Sequence, residues 1–302
     1  MVKLFTHTDL DGVGCSILGH LAFGDTLDVE YCNYDDINKK VSNFLESGQE
    51  FDELYITDIS VDEELAITMS AIPNIFLYDH HPTASHLNAY SWATVSCGGT
   101  VCGTDLFYSA LVKKGYLLKD DGISEFVEHV SNWDTWKWAV MGEDGLVSKR
   151  YNDLFGLYGR DKFIDWVITK LVETRTVTLG PKEFEILDIL QNNIDRYVEI
   201  KNSELTKGVS TIANTSIGVV FADKYISELG NKLCELNEDL DLVAMVDVGA
   251  RRLHFRTIKD TIDVGAFAKL LGGGGHSRSA GVTFSENSVS LDIGDGLFKV
   301  KL

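Results

Sequence analysis

The sequence contains few prolines, few cysteines and few cationic residues for its length. Only three prolines occur in 302 residues, which excludes a proline-rich linker. The five cysteines are odd in number and form no Cys-x-x-Cys pair, so disulfide and zinc frameworks are both disfavoured. This cysteine usage fits a reducing compartment, and we expect a cytoplasmic protein.

Long apolar runs are also absent. No run reaches the length needed to cross a membrane. The amino terminus enters a predicted strand at once, without the pattern of a cleavable signal peptide. We therefore expect no membrane partner.

The charge balance is strongly acidic. Lys and Arg number 27 and Asp and Glu number 46, which gives a formal net charge of −19. Proteins that grip long duplex nucleic acid by its phosphates usually present a basic surface. A nucleotide substrate of this chain should therefore be short, or be held locally by a few cations. The alternative is that the acidity serves only solubility.

Hydrophobic patterning predicts an α/β fold. Hydrophobic residues make up 44% of the chain, which is enough for a packed core. Short apolar runs alternate with helical spacing in the first part, and this order predicts a doubly wound, mainly parallel sheet. The predicted strands are 2–6, 29–32, 54–57 and 75–78, the predicted helices are 12–21, 35–48, 62–71, 101–114, 122–132 and 161–174, and 140–160 is predicted to be loop-rich.

The pattern changes near residue 205, which predicts two domains. We expect a first domain over 1–180, a helical linker over 181–204 and a smaller α/β domain over 205–302. The second domain is predicted to contain strands at 209–213, 217–222, 242–247 and 252–257, helices at 225–236 and 263–271, a glycine run at 272–275 and a strand after Gly281.

Carboxylates and imidazoles gather where three predicted strands end. In parallel sheets, ligands bind beyond the carboxyl ends of the strands. A single Asp after a strand is often only a helix N-cap, but so many acidic groups at one rim would repel one another without a cation. Mixed nitrogen and oxygen donors favour transition metals over magnesium. We therefore expect a divalent-metal site built from His7, Asp9, Asp11, Asp58, Asp79, His80 and His81, with the remote Asp134 as a further ligand.

These motifs resemble those of the DHH phosphoesterases, a family that includes RecJ-type exonucleases and nano-RNases for very short RNAs. The resemblance rests on four ordered motifs and on a glycine-rich stretch, Gly-Gly-Gly-Gly-His-x-x-x-Ala-Gly at 272–281, which is similar to the signature of the DHH-associated C-terminal domain. The four motifs are His7-x-Asp9-x-Asp11-Gly12, the lone Asp58, Asp79-His80-His81, and Asp134.

The resemblance implies a centre of two divalent ions, with manganese expected and magnesium or another divalent ion also compatible. One carboxylate, that of Asp58, would be shared between the ions. The implied ligands are His7, Asp9 and Asp58 for one ion, and Asp11, Asp58, His80 and Asp134 for the other.

The resemblance also implies catalytic and substrate-binding roles. Asp58 would bridge the ions, Asp79 would orient a histidine, and His81 would contact the scissile phosphate or help to protonate the leaving oxygen. In the second domain, a strand arginine and the glycine-rich segment would hold the far phosphate or the base, although a flexible turn and a solvated strand residue are the simpler alternatives. The implied substrate-binding residues are Arg256, Gly274, Gly275, His276 and Arg278.

Three tryptophans surround Asp134 in the sequence. Trp133, Trp136 and Trp138 offer either a stacking surface for a base or part of the core.

Together, these observations predict a two-domain phosphodiesterase with two ions on one side of an interdomain cleft and a nucleotide patch on the other. Attack by a hydroxide between the ions would release nucleoside monophosphates from a short oligonucleotide or a dinucleotide. The alternatives are a RecJ-like exonuclease acting on single-stranded DNA, and a non-catalytic nucleic-acid scaffold. RNA versus DNA, linear versus cyclic substrate, cleavage polarity and the oligomeric state, a homodimer included, stay open at this point.

Overall fold

Two units, each with its own sheet, make up the computed structural model, which describes residues 1–210 and 215–284. The first unit is Met1–Leu187, and the second begins at Asp188. A helix of 23 residues, Pro181–Ser203, spans this boundary. The predicted domain limits, 1–180, 181–204 and 205–302, remain a prediction, and the part of the second domain at 211–214 and 285–302 lies outside the described residues.

A parallel sheet of five strands organises the first unit. Its order is β2-β1-β3-β4-β5, and every pairing is parallel, which confirms the predicted sheet type. His7 pairs with Cys32 at one end of the sheet, so the carboxyl ends of the first two strands are neighbours. The strands are β1 (Val2–His7), β2 (Leu27–Cys32), β3 (Glu53–Thr57), β4 (Ile75–Asp79) and the unpredicted β5 (Ala93–Val95).

Helices cover both faces of this sheet. They are α1 (Leu10–Phe23), α2 (Ile37–Glu46), α3 (Glu63–Met69), α4 (Gly103–Lys114), α5 (Asp121–Asp134), α6 (Glu143–Tyr158) and α7 (Arg160–Thr174). Successive strand residues point to opposite faces. Leu4 and Tyr55 pack with residues of α1 and α4, whereas their neighbours Phe5 and Ile56 pack with residues of α2 and α3. This double packing confirms the doubly wound α/β class.

The prediction of a loop-rich segment over 140–160 is wrong. Most of the segment forms α6, whose Tyr151 and Leu154 are fully buried against Phe163 and Val167 of α7. Its apolar stripe is narrow and lies among many polar residues, so composition concealed the helical period.

A mixed sheet organises the second unit. Its order is β10-β11-β9-β8-β7-β6, and β7 and β8 are the one parallel pair among the described strands of this sheet. The predicted strand at 209–213 begins earlier and is described as far as Ser210; its last three residues lie outside the described residues. The elements are α8 (Pro181–Ser203), β6 (Thr206–Ser210), β7 (Thr215–Phe221), α9 (Ile226–Leu236), β8 (Leu242–Asp247), β9 (Arg252–Arg256), α10 (Val264–Leu270), β10 (Gly274–Gly275) and β11 (Ser279–Thr283).

Helices pack on both faces of the second sheet. Val243 and Met245 of β8 contact α9, whereas Ala244 and Phe255 lie in the cluster that includes α10. Within residues 1–210 and 215–284, none of the helices combines the length and the apolar character that spanning a membrane requires.

Candidate metal centre

Adjacent strands deliver the candidate ligands to one rim of the first sheet. His7 is the last residue of β1, Asp58 follows β3 directly, and Asp79 is the last residue of β4. Because β3 lies between β1 and β4, Asp58 occupies the middle of this rim. Asp58 has a φ of +57°, a left-handed conformation that is uncommon for a residue other than glycine and that recurs at functional sites.

The first ligand group contains His7, Asp9 and Asp58, with one ligand atom from each lying within 4.8 Å of the others. His7 Nδ1 is 2.9 Å from Asp9 Oδ2 and 3.7 Å from Asp58 Oδ2. Asp9 is also the N-cap of α1, because its Oδ1 accepts a hydrogen bond from Gly12 N at 3.1 Å. The two roles are compatible, since one oxygen caps the helix and the other faces His7. Burial opposes ionisation, but His7 lowers the pKa of the Asp9 carboxyl overall.

The second ligand group contains Asp11, His80 and Asp134, again within 4.8 Å of one another. His80 Nε2 lies 3.6 Å from Asp11 Oδ2 and 3.5 Å from Asp134 Oδ2. It also lies 3.2 Å from Asp58 Oδ1. Asp58 therefore directs one oxygen towards each group.

The amino terminus of α4 fixes the Asp11 carboxylate. Gly103 N and Thr104 N donate to its two oxygens at 2.6 and 2.7 Å, and the Thr104 hydroxyl donates to the Asp11 carbonyl at 2.7 Å. Only glycine fits at 103, because a Cβ there would lie 2.7 Å from Asp58 Cβ and 3.0 Å from Asp11 Oδ2. The amino terminus of α4 thus sets the distance between the Asp11 and Asp58 carboxylates.

His81 is held from both sides. Its Nδ1 lies 2.7 Å from Asp79 Oδ1, and its Nε2 lies 3.1 Å from the Tyr34 hydroxyl. Asp79 also accepts from His80 N at 2.8 Å and from the Ser60 hydroxyl, so both of its oxygens have donors. Burial acts against each charged form, but the pair overcomes it: His81 lowers the pKa of Asp79, and Asp79 raises the pKa of His81.

Unpaired buried atoms test whether this rim fits a metal. Five buried side-chain polar atoms in the described part of the chain lack a hydrogen-bond partner, and four of them are candidate ligand atoms. Buried polar groups are nearly always paired, so four unpaired atoms that face one another fit a bound cation. The four are His7 Nδ1, which lies near Asp9 Oδ2 without the geometry of a hydrogen bond, Asp58 Oδ2, His80 Nε2 and Asp134 Oδ2.

The electrostatics lead to the same conclusion. Burial, reinforced by the charges of Asp11 and Asp9, raises the pKa of Asp58 well above its usual value. Burial and the same two carboxylates raise the pKa of Asp134 to about 8. Carboxylates crowded in this way stay ionised only beside positive charge. The donor set of imidazole nitrogen and carboxylate oxygen fits a divalent transition-metal ion.

The three tryptophans contact one another beside Asp134. Trp133 packs against the core that contains Tyr151 and Phe163, whereas Trp136 is 47% exposed and has a φ of +62°. The Trp136 ring centroid lies 5.2 Å from that of Trp138 and 6.0 Å from that of Trp133. Trp133 therefore serves the core, and base stacking on Trp136 stays a prediction.

The second unit distributes the predicted substrate-binding residues over two faces of its sheet. Arg256 extends over α9, where its guanidinium donates to the Ser227 hydroxyl at 3.3 Å. Gly275 and His276 turn their carbonyls towards Gly265 of α10, on the other face. Arg278 forms an exposed ion pair with Asp260.

The glycine-rich segment is partly a strand. Gly274 and Gly275 form β10, which pairs with Gly281 and Ala280 of β11. At Gly275, where φ is +142°, a Cβ would lie 2.5 Å from Ala280 Cα, so this pairing requires glycine. A single patch that joins Arg256 to this segment remains a prediction.

Comparison with known proteins identifies the family. No family model matches the chain. Oligoribonuclease NrnB of Bacillus subtilis (strain 168) is 35% identical over 306 residues, which cover 98% of this chain and 76% of NrnB. The chain belongs to the DHH phosphoesterase family.

Solved structures agree with this DHH fold. Exonuclease RecJ bound to manganese matches 95% of this chain and 86% of its own, with a TM-score of 0.59 and 12% identity. PggH, a pGpG-specific phosphodiesterase from Vibrio cholerae, matches 95% of each chain, with a TM-score of 0.53 and 13% identity. At these identities the likeness establishes the fold alone.

Beyond the DHH motifs, the structure adds four residues that the motif analysis did not find. Gly103 and Thr104 bind Asp11, Ser60 binds Asp79, and Tyr34 binds His81. A sequence signal existed for Tyr34, which lies two residues beyond β2. A weaker one existed for Gly103, which begins α4 shortly after a glycine-rich turn.

Proposed function

We propose that this chain is a metal-dependent phosphodiesterase that hydrolyses short oligonucleotides or dinucleotides to nucleoside monophosphates. The observation that carries the proposal is the set of unpaired, facing nitrogen and oxygen atoms around Asp58. Family membership supports it, since the relative that is 35% identical is an oligoribonuclease.

The proposed cofactor is a pair of divalent ions, with manganese as the first choice because a RecJ structure of this fold contains it. When bound, such ions stabilise the charge of the phosphoryl transition state and supply a nucleophilic water at neutral pH. The proposed ligands are His7, Asp9 and Asp58 for one ion, and Asp11, Asp58, His80 and Asp134 for the other.

The proposed role of His81 follows from its contacts. Asp79 can only accept a hydrogen bond when ionised, so the His81 Nδ1 at 2.7 Å carries a proton. The other ring nitrogen, Nε2, lies 3.1 Å from the Tyr34 hydroxyl. When the ring is protonated and the substrate takes the place of that hydroxyl, Nε2 would donate to a phosphate or leaving-group oxygen. The raised pKa of His81 favours that form. Asp79 would act through His81 and His80, whose orientation it fixes.

The preference for short substrates rests on charge. A chain with a net charge of −19 repels a long polyanion, because each added phosphate brings repulsion without a matching cation. A few local cations suffice for one or two phosphates. We assign this task to Arg256, His276 and Arg278, with the backbone of Gly274 and Gly275 allowing close approach.

A length series tests the proposal. Purified protein, freed of metal and then given Mn²⁺ or Mg²⁺, is offered RNA and DNA of 2, 5 and 24 nucleotides. We expect release of mononucleotides, fastest from the dinucleotide and abolished by chelator. Equal or faster hydrolysis of the 24-nucleotide DNA would support the RecJ-like alternative, and no hydrolysis with any metal would contradict the proposal.

A further inference from the structure

Tyr34 combines two properties that rarely occur together. Its side chain is 60% exposed, yet its hydroxyl lies 3.1 Å from His81 Nε2 and its ring centroid lies 5.1 Å from that of His7. A large aromatic residue in an exposed turn gains little from folding alone. Its placement over two residues of the candidate metal centre is therefore better explained by a ligand than by the core.

The fold positions Tyr34 firmly. β2 pairs with β1 so that Cys32 lies beside His7, and the turn after β2 therefore opens at the metal rim. Asn33 closes this turn, because its carbonyl accepts from Asp36 N at 3.1 Å and its backbone N–H donates to Asp36 Oδ1 at 2.7 Å. The Tyr34 ring is thus presented from an ordered turn.

The hydroxyl and the ring offer different contacts. The hydroxyl meets the one nitrogen of His81 that Asp79 leaves free, so the imidazole is held at both edges. The ring lies nearly perpendicular to that of His81, at 86°, with centroids 5.9 Å apart. Since His81 is proposed to contact the reacting phosphate, an exposed ring this close to His81 would be within reach of the adjacent base.

The acidity of the chain increases the importance of such a contact. At a net charge of −19, the chain offers a nucleotide little general electrostatic attraction outside the proposed metal site. Stacking between a base and an aromatic ring needs no charge and tolerates every base. It contributes a factor of about 5 to 150 in affinity per base.

We propose that Tyr34 is a substrate-binding residue that stacks its ring on the base next to the bound phosphate, and whose hydroxyl positions His81 through Nε2 until the substrate binds. The inference deepens the proposed function and rests on it for the identity of the substrate. The sequence motifs of the family do not include this position.

The first experiment measures binding without turnover. A dinucleotide that carries 2-aminopurine and a hydrolysis-resistant phosphorothioate linkage is titrated with protein, and fluorescence quenching reports stacking. Tyr34→Phe should bind and quench as the unmodified protein does. Tyr34→Leu should bind about tenfold more weakly and lose the quenching. Tyr116→Leu is the matched control, because Tyr116 is 42% exposed and its ring contacts Phe23 instead.

The second experiment separates the two contacts by kinetics. A dinucleotide and its abasic counterpart are compared in each variant. Tyr34→Leu should raise the KM of the dinucleotide about tenfold and leave that of the abasic substrate unchanged. Tyr34→Phe should lower kcat by about two- to tenfold for both substrates, since it removes only the hydrogen bond to His81.

The outcomes distinguish the two proposals. Full turnover with a KM that is independent of Tyr34, or an equal rise for both substrates, overturns the inference and leaves the proposed function intact. Binding and quenching that depend on Tyr34, in a protein that hydrolyses no dinucleotide, uphold the inference and contradict the proposed function. Absence of any dinucleotide binding overturns the inference.

Discussion

Two aspartates at the same rim of the first sheet are equally buried, but their pKa values shift in opposite directions. Asp58 and Asp79 are each 1% exposed and follow or end neighbouring strands. Burial, with Asp11 and Asp9, raises the pKa of Asp58, whereas His81 outweighs burial and lowers that of Asp79. The difference lies in their partners, since Asp79 receives donors at both oxygens and Asp58 Oδ2 receives none.

The comparison separates two uses of a buried carboxylate. A fully hydrogen-bonded carboxylate is a positioning group whose charge is already compensated. A buried carboxylate without donors is unstable as an anion unless a cation joins it. The unpaired carboxylate of Asp58 therefore indicates where a metal ion would bind, and the paired carboxylate of Asp79 orients His81.

The largest effect is expected from Asp58→Asn. Asparagine tolerates the left-handed backbone of this position, so the fold should persist. Hydrolysis should fall at least about a thousandfold, because metal ions supply several kcal/mol of transition-state stabilisation. In chelator the variant should melt at a higher temperature than the unmodified protein, since a repulsive buried charge is removed. Both are checked by initial rates and by thermal melts.

The control for Asp58→Asn is Asp25→Asn, an exposed aspartate before β2 at the opposite end of the sheet. It should change neither activity nor melting temperature. Full activity of Asp58→Asn in metal-replete buffer would show that the Asp58 carboxylate is not a metal ligand. Asp58 and Asp79 would then not differ in role as described.

Asp79→Asn should destabilise the metal-free protein, whereas Asp58→Asn should stabilise it. The change weakens the bonds to His81 and Ser60, so the metal-free protein should lose about 1–3 kcal/mol of stability. Activity should fall by roughly 10- to 100-fold, which is the usual cost of losing a group that orients a metal-site histidine. A stabilised Asp79→Asn in chelator would show that the two carboxylates do not differ as described.

Metal-free stability should depend on pH through Asp134. Its pKa is raised to about 8 in the folded chain from 3.8, so folding is favoured in its protonated form. That stabilisation is complete below about pH 4 and is lost as the pH rises through 8. Asp134→Asn should therefore gain several degrees in melting temperature over the unmodified protein at pH 9 in chelator, and the gain should shrink towards pH 5. A gain that does not change with pH would contradict the raised pKa.

Sequence periodicity was sufficient to predict that the residues at the carboxyl ends of the strands lie together. His7, Asp58 and His80 share a rim because a parallel sheet aligns the carboxyl ends of its strands, and the apolar runs before them are unambiguous. The helix α6 was missed because its buried stripe depends on contacts with α7 rather than on its own composition.

The supporting contacts could not be predicted from the sequence. Gly103 reaches Asp11 across 92 positions, and Tyr34 reaches His81 across 47. Such pairs depend on the strand order β2-β1-β3-β4 and on where α4 begins, neither of which a local pattern specifies.

The smallest effect is expected from Ser60→Ala, which removes one donor from Asp79 and leaves His81 in place. A hydrogen bond to an ionised carboxylate contributes about 1.5–3 kcal/mol, and only part of this loss is passed on to His81. We therefore expect kcat to fall about two- to tenfold and metal affinity not to change. Ser60→Thr keeps the hydroxyl and should retain activity. If Ser60→Ala instead weakened Mn²⁺ binding as strongly as Asp58→Asn, Asp79 would have to be a ligand, and the two carboxylates would share one role.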